Sequence, residues 1–119
     1  SCPTKAIVEP FVIKSDLCLA YHTIESKEKT IPTNIQKNLD GWIYGCDICQ
    51  EVCPWNISFS QASNDSYFKP RESIADRTDQ EWNNLDQSDF SQIFKKSAVK
   101  RTKFSGLRRN IEKNKFSKE

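Results

Sequence analysis

From Ala6 to Ile13 apolar and β-branched residues run together, broken only by Glu9-Pro10, and the pattern predicts a short extended hairpin or loop. Behind Ser15, a residue suited to an N-cap, Leu17, Tyr21 and Ile24 recur at helical spacing, so a helix is predicted to about Glu25. Lys27 to Thr30 reads as a charged turn. Pro32 suits the first turn of a short helix that Gly41 would stop near Asp40. Trp42-Ile43-Tyr44-Gly45 then leads into a cysteine cluster with one or two helical turns before Pro54. Between Ile57 and Pro70, Ser, Asn and Gln dominate, the composition of a loop. Thr78 or Asp79 opens a helix carrying Trp82 and Leu85. Ser88 is placed to cap another, with Phe90, Ile93 and Phe94 inward. A last helix is predicted from about Ala98 towards Lys115, with Val99, Leu107 and Ile111 inward and Gly106 weakening its middle by roughly 1 kcal/mol relative to Ala. The pattern predicts a mainly α chain in three parts: a cysteine-bearing stretch over 1–56, a linker over 57–73 and a helical basic segment over 74–119.

Composition changes this picture in one respect. Apolar residues make up 36% of 119 and mean hydropathy is −0.72, a lean core, so something besides apolar burial is expected to hold the fold. Three glycines argue against a turn-rich β architecture. No apolar run approaches the ~20 residues of a membrane span, and Ser1 to Pro10 has neither the basic start nor the apolar stretch of a signal peptide.

Charge is distributed unevenly. Residues 95–119 carry ten Lys or Arg against two Glu, and the remainder eight against fourteen Asp or Glu. An acidic body with a basic tail suggests a polyanionic partner, although a bare Lys/Arg run is as readily a solvated helix face.

Five cysteines would leave one over in a disulfide framework, and thiols without a secretory signal stay reduced, so metal ligation is expected. Cys46-Asp47-Ile48-Cys49-Gln50-Glu51-Val52-Cys53-Pro54 is C-x2-C-x3-C-P. Two-cluster ferredoxins use C-x2-C-x2-C-x3-C-P, whose last cysteine serves the other cluster. Here the first position of that run is Ile43. Cys2-Pro3 has the form of the last Cys-Pro of a preceding run, and C-x2-C-x2-C-x3 is expected to lead into it. Crossed ligation then groups Cys2, Cys46 and Cys49 with Cys18, and leaves Cys53 for a second cluster. Ile43, Ile48, Val52 and Trp55 are placed to shield such a site. A structural zinc held by four cysteines is the competing reading. His22, the single histidine, is given no role, and Tyr21 and Trp42 are expected as core aromatics.

The stretches CPTKAIV, CLAYHTIE, GWIYGCDICQEVCPWN and FKKSAVKRTKFSGLRRNI together resemble the epoxyqueuosine reductase family, from Cys2 to about Ile111 and most weakly across 57–78. The resemblance implies a ferredoxin-like segment followed by HEAT-like helices, in a cytoplasmic, cobalamin-dependent iron–sulfur enzyme that reduces epoxyqueuosine in a tRNA anticodon to queuosine. It implies that Cys2, Cys18, Cys46 and Cys49 hold one 4Fe–4S cluster, that Cys53 serves another, and that Ala20, Cys46 and Asp47 lie near the cobalamin. It places the catalytic acid outside this chain, which alone is not expected to turn over substrate. Lys100, Arg101, Lys103, Arg108 and Arg109 would face the tRNA, with phosphate contacts dominating affinity. The complete enzyme is expected as a monomer, whereas the face left open on this chain would favour self-association. A stand-alone ferredoxin-like carrier and a zinc-stapled RNA-binding module are the alternatives.

Overall fold

The structure is a computed structural model and describes residues 1–114. Its first element is an antiparallel hairpin, β1 (Ile7–Glu9) and β2 (Val12–Ile13), with Ile7 opposite Ile13 and Glu9 opposite Val12 across a bulge. Phe11 closes the turn at φ +66° and is fully exposed. Mainly helical structure follows: α1 (Thr33–Gln36), α2 (Ile48–Glu51), α3 (Pro54–Phe59), α4 (Glu72–Ala75), α5 (Asp79–Asn83), α6 (Gln87–Ile93) and α7 (Lys103–Asn114).

The helix expected over 15–25 is not continuous. A 3-10 turn occupies Ser15–Leu17, and Cys18 is extended at φ −83°, ψ 125°. The chain coils again from Leu19 and widens into a π turn over Tyr21–Glu25, closed by the Ser26 N–H on the Tyr21 carbonyl at 2.9 Å. This changes the buried face. Leu19, His22 and Thr23 point inward, while Tyr21, expected in the core, is exposed and meets His22 edge-on at 5.2 Å. An insertion of one residue per turn rotates the later side chains, which a 3.6-residue period cannot anticipate.

Three other boundaries differ. The stretch expected as a loop from Ile57 instead continues α3 to Phe59 and holds a 3-10 turn over Ser66–Phe68, capped by Asp65. The cap of α6 is Asp86, which accepts the Asp89 N–H at 2.8 Å, rather than Ser88. The last helix is split: Ala98–Thr102 is a 3-10 turn, the chain turns at Lys103 (φ +65°), and α7 begins there. Its expected continuation to Lys115 lies outside the described residues. Thr78 does cap α5, in a reciprocal box with Glu81.

Two small cores result. Leu19, Ile31, Ile35 and Leu39 form one, with Trp42 and Cys46 against it. Leu85, Phe90, Phe94, Leu107 and Ile111 form the other, flanked by Ile43, Tyr44 and Trp82. Trp42-Ile43-Tyr44 thus passes from one core to the other just before Cys46.

Polar contacts join the two. Arg109 is buried on α7, and all five of its N–H groups are engaged. Nε and Nη2 reach Asn110 Oδ1, Nη1 reaches the Ser26 and Glu28 carbonyls at 3.0 and 2.7 Å, and Nη2 reaches the His22 carbonyl at 2.7 Å. No helix among the described residues is long and apolar enough to cross a membrane.

Candidate metal centre

Cysteine followed by proline sets the local geometry at both ends of the site. The ring at position i disfavours helical backbone at i−1. Cys53 is accordingly extended at φ −65°, ψ 121°, and Pro54 begins α3, where a missing N–H costs nothing. After Cys2-Pro3 the chain folds back: Lys5 adopts φ +56°, its N–H meets the Cys2 carbonyl at 3.2 Å, and the Ala6 N–H points at Cys2 Sγ from 3.3 Å. Thr4 Oγ1 donates to the Leu17 carbonyl, tying this turn to the one that presents Cys18. Gly45, at φ +77°, supplies the left-handed turn before Cys46. Asp47 stands exposed at the head of α2, which carries Cys49.

Cys2, Cys18, Cys46 and Cys49 line one small cavity, walled by Pro3, Ala6, Ile7, Ile13, Leu19 and Ile48. All four thiols are unpaired. Burial pushes the Cys46 thiol above its ordinary value, the Ile48 N–H offsets part of that, and the neighbouring sulfurs of Cys18, Cys49 and Cys2 add to the rise. At Cys2 burial acts in the same direction but is outweighed by the Ala6 N–H, the Thr4 hydroxyl and the Thr4 and Ile7 N–H groups, which hold that thiol below the usual range. Cys53 does not line this cavity; it caps α3 a turn beyond α2.

Four thiols around one cavity match the donor set of a 4Fe–4S core, with one cysteine to each iron. His22 is turned away from any ligand role, its Nε2 lying 2.7 Å from the Asp16 carbonyl.

The basic residues divide. Lys100 and Lys103 are exposed. Arg101 is two-thirds exposed and paired with Glu25 at 2.9 Å. Arg108 is partly exposed; it donates to the Asn83 carbonyl and lies 3.9 Å from Glu112. Arg109 does not belong with this group: it is buried and holds carbonyls, with no N–H left for a phosphate. Ala20 is half-buried and Asp47 exposed, on the two loops that carry Cys18 and Cys46. Sequence reasoning missed Thr4, Thr23 and Asn110. A buried threonine four residues after an apolar one is the only local signal at Thr23, and it is a weak one.

The cavity and the C-x2-C-x3-C-P spacing are those expected of a ferredoxin-like 4Fe–4S segment. Residues 1–56 match the family model of the 4Fe-4S double cluster binding domain. Nearly the whole chain aligns with epoxyqueuosine reductases: 47% identity with that of Synechocystis sp. over 96% of this chain and 39% of the relative, and 45% with that of Cellulophaga algicola over 94% and 36%. The chain is similar to epoxyqueuosine reductases over nearly all its length, and it spans under two-fifths of the length of these relatives. A crystal structure of selenomethionine-labeled epoxyqueuosine reductase superposes with a TM-score of 0.84 at 24% identity, covering 96% of this chain and 30% of the other. A crystal structure of epoxyqueuosine reductase with an epoxyqueuosine-modified tRNA-Tyr stem loop gives 0.76 at 22%, with the same coverage. At these identities the two superpositions establish the shared fold.

Proposed function

We propose that this chain is the electron-transfer and RNA-contacting part of a cytoplasmic, cobalamin-dependent reductase that converts epoxyqueuosine in tRNA to queuosine. The observation that carries the reading is the meeting of Cys2, Cys18, Cys46 and Cys49 in one apolar cavity, in a chain so similar to epoxyqueuosine reductases. In this reading those four cysteines hold one 4Fe–4S cluster and Cys53 contributes to another. When bound, the clusters supply single electrons and the cobalamin the reducing metal chemistry on the substrate.

The residues' own tasks follow from their positions. Ala6, Leu19 and Ile48 keep water from the cluster and so bias its potential. The Ala6 N–H stabilises negative charge on Cys2 Sγ. Ala20, Cys46 and Asp47 form the face turned to the cobalamin. Residues 1–56 act as the cluster-bearing unit, 57–73 as the linker, and the helices of 74–119 as the RNA-facing unit. There Lys100, Arg101, Lys103 and Arg108 meet phosphates. The ion pair of Arg101 with Glu25 is solvent-exposed and weak, so a phosphate can replace it.

Iron and acid-labile sulfide analysis after anaerobic purification tests the centre. About four of each per chain are expected for one complete cluster, with loss on Cys18→Ser or Cys46→Ser. One zinc per chain and no sulfide would overturn the assignment. For RNA, Lys100→Ala with Lys103→Ala should weaken binding of a modified tRNA stem loop and lower the salt slope by about 1 for each phosphate no longer neutralised. An unchanged slope would remove these residues from the interface.

A further inference from the structure

Thr23 has no part in the function proposed above, yet its side chain is wholly buried beside the centre. Its hydroxyl donates to the Leu19 carbonyl at 2.9 Å and accepts the Gly45 N–H at 2.9 Å. Leu19 directly follows Cys18, and Gly45 directly precedes Cys46. One oxygen therefore ties together two cysteine loops, one residue away from a thiol on each side. The carbonyl of the same residue accepts two more bonds, from Thr102 Oγ1 at 3.1 Å and Asn110 Nδ2 at 2.8 Å. Asn110 Nδ2 also reaches the Ile43 carbonyl at 2.8 Å. The neighbouring Arg109 holds the His22 carbonyl.

We infer that Thr23 is a positioning residue for the metal centre: its hydroxyl sets Cys46 against Cys18, while α7, through Asn110, and the 3-10 turn before it, through Thr102, set Thr23. The inference rests on reading Cys2, Cys18, Cys46 and Cys49 as cluster ligands. The physical basis is the left-handed turn at Gly45. Its N–H faces the interior, and an unsatisfied buried N–H would drive the loop to another conformation. That loop ends on Cys46. Groups that orient ligands typically change metal affinity 10–100-fold when removed.

The test uses the full-length polypeptide, prepared anaerobically, with Thr23→Val and Thr23→Ser. Valine keeps the shape and loses both hydrogen bonds; serine keeps them. Thr23→Val is expected to lose its cluster to a chelator about tenfold faster than the parent, and to shift both the reduction potential and the electron paramagnetic resonance of the reduced cluster. Thr23→Ser is expected to restore the parent values. A parent that binds no cluster would overturn the ligand reading itself. A parent that binds one, with Thr23→Val indistinguishable in chelation rate, potential and spectrum, would overturn only the role of Thr23. Should Thr23→Val not fold, Thr102→Val removes the hydroxyl bond onto the Thr23 carbonyl alone. A smaller shift in the same direction supports the inference, and parent behaviour overturns it.

Discussion

Arg108 and Arg109 are adjacent and chemically identical, yet the fold gives them opposite work. Arg109 leaves three backbone carbonyls and one amide oxygen dependent on it. Removing a partner from a buried acceptor costs about 1–3 kcal/mol. Arg109→Ala is therefore expected to destabilise the chain by about 3 kcal/mol or more in urea unfolding, and Arg109→Lys to recover little of it, because an ammonium cannot reproduce the planar fork. Gly106 is a second residue-scale case. Glycine inside a helix ordinarily costs about 1 kcal/mol relative to alanine, so Gly106→Ala would ordinarily stabilise α7. Here a Cβ would lie 2.6 Å from Thr102 Oγ1, which is itself bound to the Thr23 carbonyl. Gly106→Ala is expected to destabilise instead, and Thr102→Ala in the same chain to relieve most of the penalty in a double-mutant cycle.

The elements show what a linear reading can and cannot reach. The start of α5 near Thr78 is legible because its cap is local: Thr78 accepts the Glu81 N–H at 3.2 Å, and Glu81 accepts the Thr78 N–H at 3.1 Å. Those bonds from Thr78 hold the Glu81 carboxyl below its ordinary value of 4.5. A group whose acidity is strengthened on folding contributes stability above its unfolded value and loses it as pH falls through the folded one. Helix α5 is thus expected to fray in amide exchange as pH falls through that lowered value, and Glu81→Gln to abolish that pH dependence while weakening the cap at neutral pH.

The hairpin and the apolar face of α6 were equally legible, since they follow from a β-branched apolar run and from helical spacing, and motif spacing pointed to Cys2, Cys18, Cys46 and Cys49, which line one cavity. The break at Cys18 and the π turn were not. Leu17, Tyr21 and Ile24 make an acceptable helical stripe, and only partners far along the chain, Thr102, Arg109 and Asn110, select the wider turn that buries His22 and Thr23. The same distance hid Arg109: nothing local separates it from a solvated cation.

At the scale of the molecule the surface stays open. The radius of gyration is 15.3 Å, against about 13.5 Å expected for a compact domain of this length. Phe11, Trp55, Ile57, Phe59, Tyr67 and Phe68 are each at least 69% exposed, and Trp55 and Phe59 stack at 5.6 Å without cover. So much aromatic surface favours association. Sedimentation of the isolated chain is expected to show concentration-dependent self-association that salt does not suppress, and Trp55→Ser with Phe59→Ser to reduce it.

The hydrogen bonds that Thr23 and His22 receive from α7 each span 87 residues of the chain. Contacts this distant in sequence close late in folding. During synthesis every cysteine emerges from the ribosome well before Asn110 does. The thiols are therefore expected to stay unorganised until α7 docks. Assembly of the centre is expected to follow emergence of α7, so that a nascent chain arrested before Lys103 acquires no stable iron.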